Sequence, residues 1–107
     1  MKENYIDQVF EVVAMIPSGK VSTYGAIADY LALGSARMVG WALNKALSAP
    51  MDVPAHRVVN SKGELSGRNN FEHPELMEKL LLLEGVKVEN NKVQDFAKAL
   101  WKPADHL

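Results

Sequence analysis

Apolar residues near the amino end fall at Ile6, Val9, Phe10, Val13 and Ile16, the three-and-four spacing that lines one side of a helix. The stripe opens after Asn4 and is broken by the turn-forming run Pro17-Ser18-Gly19. A second helical pattern runs through Ile27, Ala28 and Leu31. Ser22 or Thr23 can accept from its free amides and Gly34 is placed to stop it, which gives a helix of about a dozen residues. Ser35 can then cap a third helix whose inward stripe is Val39, Ala42, Leu43 and Ala46, ended by Ser48-Ala49-Pro50. These two helices are expected to meet at one tight Gly34-Ser35 turn.

The pattern then loses its helical period. Pro50-Met51-Asp52-Val53-Pro54 reads as a loop, and the β-branched pair in Arg57-Val58-Val59 as a short strand. Asn60-Ser61-Lys62-Gly63 reads as a turn, with Glu64-Leu65-Ser66 as the return strand of a small wing. Glu75 opens a helix through Leu76, Leu80 and Leu83 that ends at Gly85, followed by an extended Val86 to Val88. Residues 95–101 are expected to add a helical turn or two with Phe96, Leu100 and Trp101 facing inward. No repeat, low-complexity tract or linker interrupts the chain, so a single domain over residues 1–107 is expected, mainly α with a small β-hairpin. Two short helices before a hairpin make a winged helix-turn-helix-like DNA-binding domain, whose second helix is presented to nucleic acid.

Composition trims the possibilities. The chain has 107 residues, 48% of them hydrophobic, enough for one core and not for two. No apolar run approaches the roughly 20 residues needed to cross a bilayer, and the amino end lacks a leader pattern. The expectation is a cytoplasmic protein, nucleoid-associated if bacterial, with no membrane partner. The absence of cysteine excludes disulfides, thiolate nucleophiles and Cys-ligated zinc. His73 and His106 are poorly placed to complete a metal site with His56, so neither metal nor cofactor is expected.

A formal net charge of -1 conceals a segregation. Lys2 and Lys20 against Glu3, Asp7, Glu11 and Asp29 make residues 1–34 acidic. In residues 35–68, Arg37, Lys45, Arg57, Lys62 and Arg68 face only Asp52 and Glu64, and the remainder is acidic again. An anionic partner is drawn to the middle third. There the outward stripe of the third helix, Arg37, Gly40, Trp41, Asn44 and Lys45, holds two cations, an amide and no acid. Gly40 lets a backbone or a phosphate approach closely. The simpler reading of the stripe is a solvated helix face with Trp41 partly covering a neighbour. Hydrolase or transferase chemistry through His56 with Ser61 or Ser66 lacks any Gly-x-Ser-x-Gly elbow, phosphate loop or His-Glu-x-x-His.

At Pro54-Ala55-His56-Arg57-Val58-Val59 the sequence resembles the O6-alkylguanine-DNA alkyltransferases, whose active-site signature is Pro-Cys-His-Arg-Val. The segment Ile16-Pro17-Ser18-Gly19-Lys20-Val21-Ser22-Thr23-Tyr24-Gly25-Ala26-Ile27-Ala28 is similar to the approach to that family's DNA-binding motif. Ala36-Arg37-Met38-Val39-Gly40 is similar to its recognition-helix signature, and Leu82-Leu83-Glu84-Gly85-Val86 to its late helix end. The blocks keep the family's order over residues 16–86. Ala55 stands where the family carries its acceptor cysteine, and few residues precede the first helix. Both features resemble the alkyltransferase-like proteins, which recognise alkylated guanine in duplex DNA and are implicated in handing it to nucleotide excision repair.

That resemblance implies roles for particular residues. Arg37 corresponds to the arginine that enters the duplex in place of an extruded nucleotide, and Tyr24 to the tyrosine that presses on the backbone beside it. A guanidinium suits the first task, because it is planar, always charged, and able to donate to the orphaned base. The lesion pocket is expected against Ala55, with Tyr24, Val53, Pro54, Ser66, Gly67 and Arg68 around it, and Arg68 favouring the alkylated base electrostatically. His56 and Glu84 match the pair that activates the thiol in true alkyltransferases. Without a thiol they are expected, with Arg57, to form a buried polar network supporting the pocket loop. The resemblance thus implies a non-enzymatic, monomeric binder of double-stranded DNA containing O6-alkylguanine, with excision-repair proteins as partners. A winged-helix regulator of undamaged DNA is the competing reading. The family's Asn-Pro hinge after the recognition helix is replaced here by Ala46-Leu47-Ser48-Ala49-Pro50.

Overall fold

The first helix, α1 (Tyr5–Ala14), starts where the sequence asks it to, because the Asn4 side chain accepts the Asp7 amide at 3.0 Å. In the computed structural model, which describes residues 4–47 and 53–107, its inward face is Val9, Val12 and Val13. A two-residue strand, β1 (Ser22–Thr23), leads into α2 (Tyr24–Tyr30), capped by the Thr23 hydroxyl accepting from Ala26 at 3.0 Å. Thr23 is therefore the cap. Ser22 is fully buried, and its hydroxyl has no partner among the described residues.

α2 is shorter than its apolar pattern suggests, seven residues rather than a dozen. It stops at Ala32, which takes a left-handed backbone with φ 55°. The Leu33 amide donates to the Ala28 carbonyl at 2.9 Å and the Ala32 amide to Asp29 at 3.2 Å, so the freed carbonyls are satisfied two residues before Gly34. The expected Gly34-Ser35 turn is thus a six-residue connection, 31–36. Its early reversal lets Leu31 and Leu33 pack against the core. α3 (Arg37–Leu47) begins where the Ser35 hydroxyl accepts the Arg37 amide at 3.0 Å. Val39, Ala42, Leu43 and Ala46 are buried as the stripe requires, and α3 packs on α1 and α2. The helix end expected at Ser48-Ala49-Pro50, the substituted hinge and most of the proline-rich loop lie outside the described residues.

The wing takes a different form. β2 (Val58–Val59) pairs in parallel with β1, Ser22 opposite Val58 and Thr23 opposite Val59, and not with Glu64-Leu65-Ser66. The turn itself forms, with the Gly63 amide on the Asn60 carbonyl at 3.0 Å, but Glu64 bridges to Lys92 instead. The hairpin is β3 (Val88–Glu89) with antiparallel β4 (Lys92–Val93). Asn90 and Asn91, at φ 54° and 58°, supply the two left-handed positions that such a tight hairpin turn requires. Val21 extends the parallel pairing on the other side, exchanging bonds with Ala99 and Trp101. That contact ties the carboxyl end into the fold. There, α5 (Phe96–Ala99) precedes the buried Trp101, whose ring stacks on His106 at 5.1 Å.

α4 (Leu76–Leu83) closes with Gly85 at φ 84° and the Val86 amide on the Leu81 carbonyl at 3.0 Å. This left-handed stop is the one the sequence indicated, and it leaves Glu84 at the helix end. The buried residues fall into two clusters. One joins α1, α2 and α3 to Ala55 and Trp101, and the other gathers Val21, Val59, Leu65, Met77 and Leu81 under the carboxyl-terminal half. Phe71 packs against both. No helix among the described residues is long and apolar enough to cross a membrane.

Candidate functional site

Pro54 fixes the approach to a one-turn 3-10 helix, Ala55–Arg57, held by the Arg57 amide on the Pro54 carbonyl at 3.0 Å. The turn puts successive side chains to different uses. Ala55, 6% exposed, presents its methyl group to a cavity of about 370 Å³ between α2, α3 and the 66–71 loop. Tyr24, Arg37, Gly40, Trp41 and Asn44 line the same cavity, with Ser66 and Gly67 opposite. The structure therefore brings together, around one opening, residues that the sequence assigned separately to DNA contact and to a lesion pocket.

Tyr24 is the most constrained of these. It is the first residue of α2, with its ring near Gly40 of α3 and its hydroxyl hydrogen-bonded to Ser66. Burial pushes its phenol above the ordinary value, and the Ser66 hydrogen bond only partly offsets this. A Cβ at Gly67 would stand 2.7 Å from the Tyr24 oxygen, closer than side chains tolerate. Gly67 thus leaves the space that the phenol occupies. The substitution Gly67→Ala fits the local backbone, φ -90°, so its cost falls on Tyr24. Affinity for an alkylated duplex is expected to drop roughly tenfold by displacement of that ring, with circular dichroism unchanged. Undiminished affinity in a binding titration would contradict this placement.

Four lining residues escaped the sequence reading: Ala36, Leu43, Asn70 and Phe71. Leu43 was legible only as core, which it also is at 4% exposure, and Ala36 adjoins the signature arginine. Asn70 and Phe71 arrive through a second 3-10 turn, Arg68–Asn70, that no periodicity announces. Conversely, Val53, Pro54 and Arg68 are not in the lining, and neither is Lys45 on α3. The Arg68 guanidinium folds back to donate to the Leu65 carbonyl at 3.1 Å. The expected electrostatic role for Arg68 thus requires that bond to open.

Arg37 is exposed, and its guanidinium has no hydrogen-bond or ion-pair partner among the described residues. It leaves α3 at its first turn, beside the cavity mouth, with Trp41 one turn further and 53% exposed. An unpaired guanidinium and an open indole on one helix face suit a polyanion carrying flat bases.

Behind Ala55 lies the polar network. The Arg57 guanidinium donates to Glu84 through Nε at 2.9 Å and a terminal nitrogen at 2.7 Å, while its other nitrogen donates to the Ile16 carbonyl at 2.7 Å. His56 Nε2 shares a 2.8 Å hydrogen bond with Glu84 Oε2. Burial works to raise the Glu84 carboxyl, but the hydrogen bonds and charges of Arg57 and His56 outweigh it and hold the group at about 2. Three chain segments are tied through the Arg57 guanidinium: Ile16 just beyond α1, the Ala55 turn and Glu84 at the end of α4. Among the described residues no group of three or more His, Asp or Glu side chains is placed to hold a metal ion.

Residues 4–86 match the model of the 6-O-methylguanine DNA methyltransferase, DNA binding domain. Alkyltransferase-like protein 1 of Schizosaccharomyces pombe is 37% identical, covering 94% of this chain and 97% of the relative. A DNA base-flipping protein of Vibrio parahaemolyticus is 36% identical over 94% of this chain and 99% of its own length. Among solved structures, S. pombe Atl1 in complex with damaged DNA containing O6-carboxymethylguanine superposes with a TM-score of 0.78 at 36% identity, covering 96% of this chain and all of the other. A Mycobacterium tuberculosis OGT in complex with DNA gives 0.64 at 34% identity, over 78% of this chain and 51% of that one.

Proposed function

The chain belongs to the 6-O-methylguanine DNA methyltransferase family, and from that premise we propose that it recognises O6-alkylguanine in duplex DNA by flipping the nucleotide, without removing the alkyl group. The observation that carries this reading is Ala55. It stands in the Pro54-Ala55-His56-Arg57-Val58 motif, with its methyl group on the wall of a cavity whose mouth holds Arg37 and Tyr24. A methyl side chain cannot accept an alkyl group, and its small volume leaves room for one.

Recognition begins as α3 presents Arg37, Trp41, Asn44 and Lys45 to the duplex. Extruding a base costs a few kcal/mol of stacking and pairing, less for a guanine whose alkyl group already impairs its pairing. Tyr24, fixed by Ser66, presses the backbone at the lesion, and Arg37 fills the gap. The extruded base enters between Tyr24 and the Ser66-Gly67 edge, with its substituent directed toward Ala55 and Leu43. His56, Arg57 and Glu84 hold the Ala55 turn in place. That one relative is a DNA base-flipping protein and another is solved in complex with damaged DNA supports recognition by flipping. The bound complex, persisting because nothing is transferred, marks the site for nucleotide excision repair. The domain works as a monomer in the cytoplasm or nucleoid over residues 1–107.

Two duplexes differing by a single O6-methyl group test the proposal at matched physiological salt. Tighter binding of the methylated duplex is expected, with the methyl group intact in the recovered DNA. Equal binding would point to a regulator of undamaged DNA, and loss of the methyl group would refute the role of Ala55.

A further inference from the structure

A second groove, of about 840 Å³, lies between the end of α1, the end of α2 and the carboxyl-terminal Leu107, and it shares no lining residue with the lesion cavity. Three of the exposed large apolar side chains gather there: Met15, Tyr30 and Leu107, at 56%, 39% and 46% exposure. Ala14 and Leu31 continue the apolar surface, and Glu11 stands at its edge. The charge of the two helices is one-sided. α1 and α2 carry Asp7, Glu11 and Asp29 and no lysine or arginine. α3, which packs its buried stripe on α1, turns Arg37, Trp41 and Lys45 to solvent instead.

We propose that this groove docks an apolar segment of another protein that carries lysines or arginines along its flanks. Apolar side chains left in contact with water on one strip are a standing site for an amphipathic helix, whose spaced anchors fill such a groove. Glu11 at the edge of the groove, with Asp7 one turn before it on α1, decides the occupant. A duplex or an anionic lipid surface is repelled by it. A second copy related by a two-fold axis would bring the same acids face to face. A basic amphipathic segment gains both the apolar burial and the attraction. Because the groove and the lesion cavity share no residue, the segment can dock while the cavity is filled, so a DNA-bound molecule can hold a protein partner. The inference goes beyond lesion recognition and stands without it.

The test uses two synthetic helical peptides with the same leucine stripe, one with lysines and one with glutamates at the remaining positions. By fluorescence anisotropy the lysine peptide should bind the full chain at least about tenfold more tightly than the glutamate peptide. Met15→Glu, at an exposed position, should abolish that binding while changing alkylated-duplex affinity by less than about twofold, which also shows that the variant is folded. Glu11→Lys should reduce or reverse the peptide preference. Nuclear magnetic resonance shifts should centre on Met15, Tyr30 and Leu107. Equal binding of the two peptides, an unaffected Met15→Glu variant, shifts centred on α3, or dimerisation through the groove would each overturn the proposal.

Discussion

Replacing Arg37 with alanine is expected to weaken binding to a duplex containing O6-methylguanine by about 1 to 3 kcal/mol, roughly five- to 150-fold. The side chain has no partner to lose within the described protein, so the variant should fold as the parent does. On the proposed mechanism, what disappears is the group that would occupy the vacated stack and donate to the unpaired base. Undamaged duplex, in which no gap is opened, should lose less. Arg37→Lys should recover only part of the difference, because an ammonium keeps the charge but neither the plane nor the fork of donors. Titrations of both duplexes with each variant check this, and a uniform loss on both would reduce Arg37 to a phosphate contact.

The second large effect concerns stability. Glu84→Gln removes the charge that pairs Arg57 and His56 in a largely buried setting, and an uncompensated buried cation is costly. A loss of about 2 to 4 kcal/mol in unfolding free energy is expected. The same carboxylate sets an acid limb. Its folded value of about 2 lies below the ordinary 4.5, so its contribution is fully present above about pH 4.5 and is lost as the pH falls through 2. That difference corresponds to about 3 kcal/mol before solvent screening is discounted. Urea unfolding followed at a series of pH values should show this slope in the parent and a flatter one in Glu84→Gln. Parallel slopes would contradict the assignment. Since Glu84 joins the end of α4 to the Ala55 turn, the variant should also bind the lesion less tightly.

The helices were legible because their signals are local. Asn4, Thr23 and Ser35 are small acceptors beside free amides, and Gly85 supplies the left-handed residue that ends α4. The end of α2 was misread because Ala32 takes that conformation where glycine was available two residues later. Tertiary packing of Leu33 overrides the local preference. The hairpin was misplaced for a related reason. Val58 and Val59 have the right propensity for a strand, but propensity does not name a partner, and the pair bonds to β1 instead of to the segment after the turn. Asn90-Asn91 carried the true hairpin signal. At the site, the motif residues Tyr24, Arg37, Ala55, Ser66 and Gly67 all reach one cavity. Asn70, Phe71 and the folded-back Arg68 depend on a loop course that neither spacing nor charge encodes.

A fluorescent cytosine analogue opposite the lesion reads nucleotide flipping directly, since its emission rises when its pairing partner leaves the helix. Adding the parent protein to a duplex with O6-methylguanine opposite the analogue should raise the fluorescence, and Arg37→Ala at saturating concentration should give a different, less stable open state. Unchanged fluorescence on full binding would mean that the lesion is held within an intact stack, which would contradict nucleotide flipping.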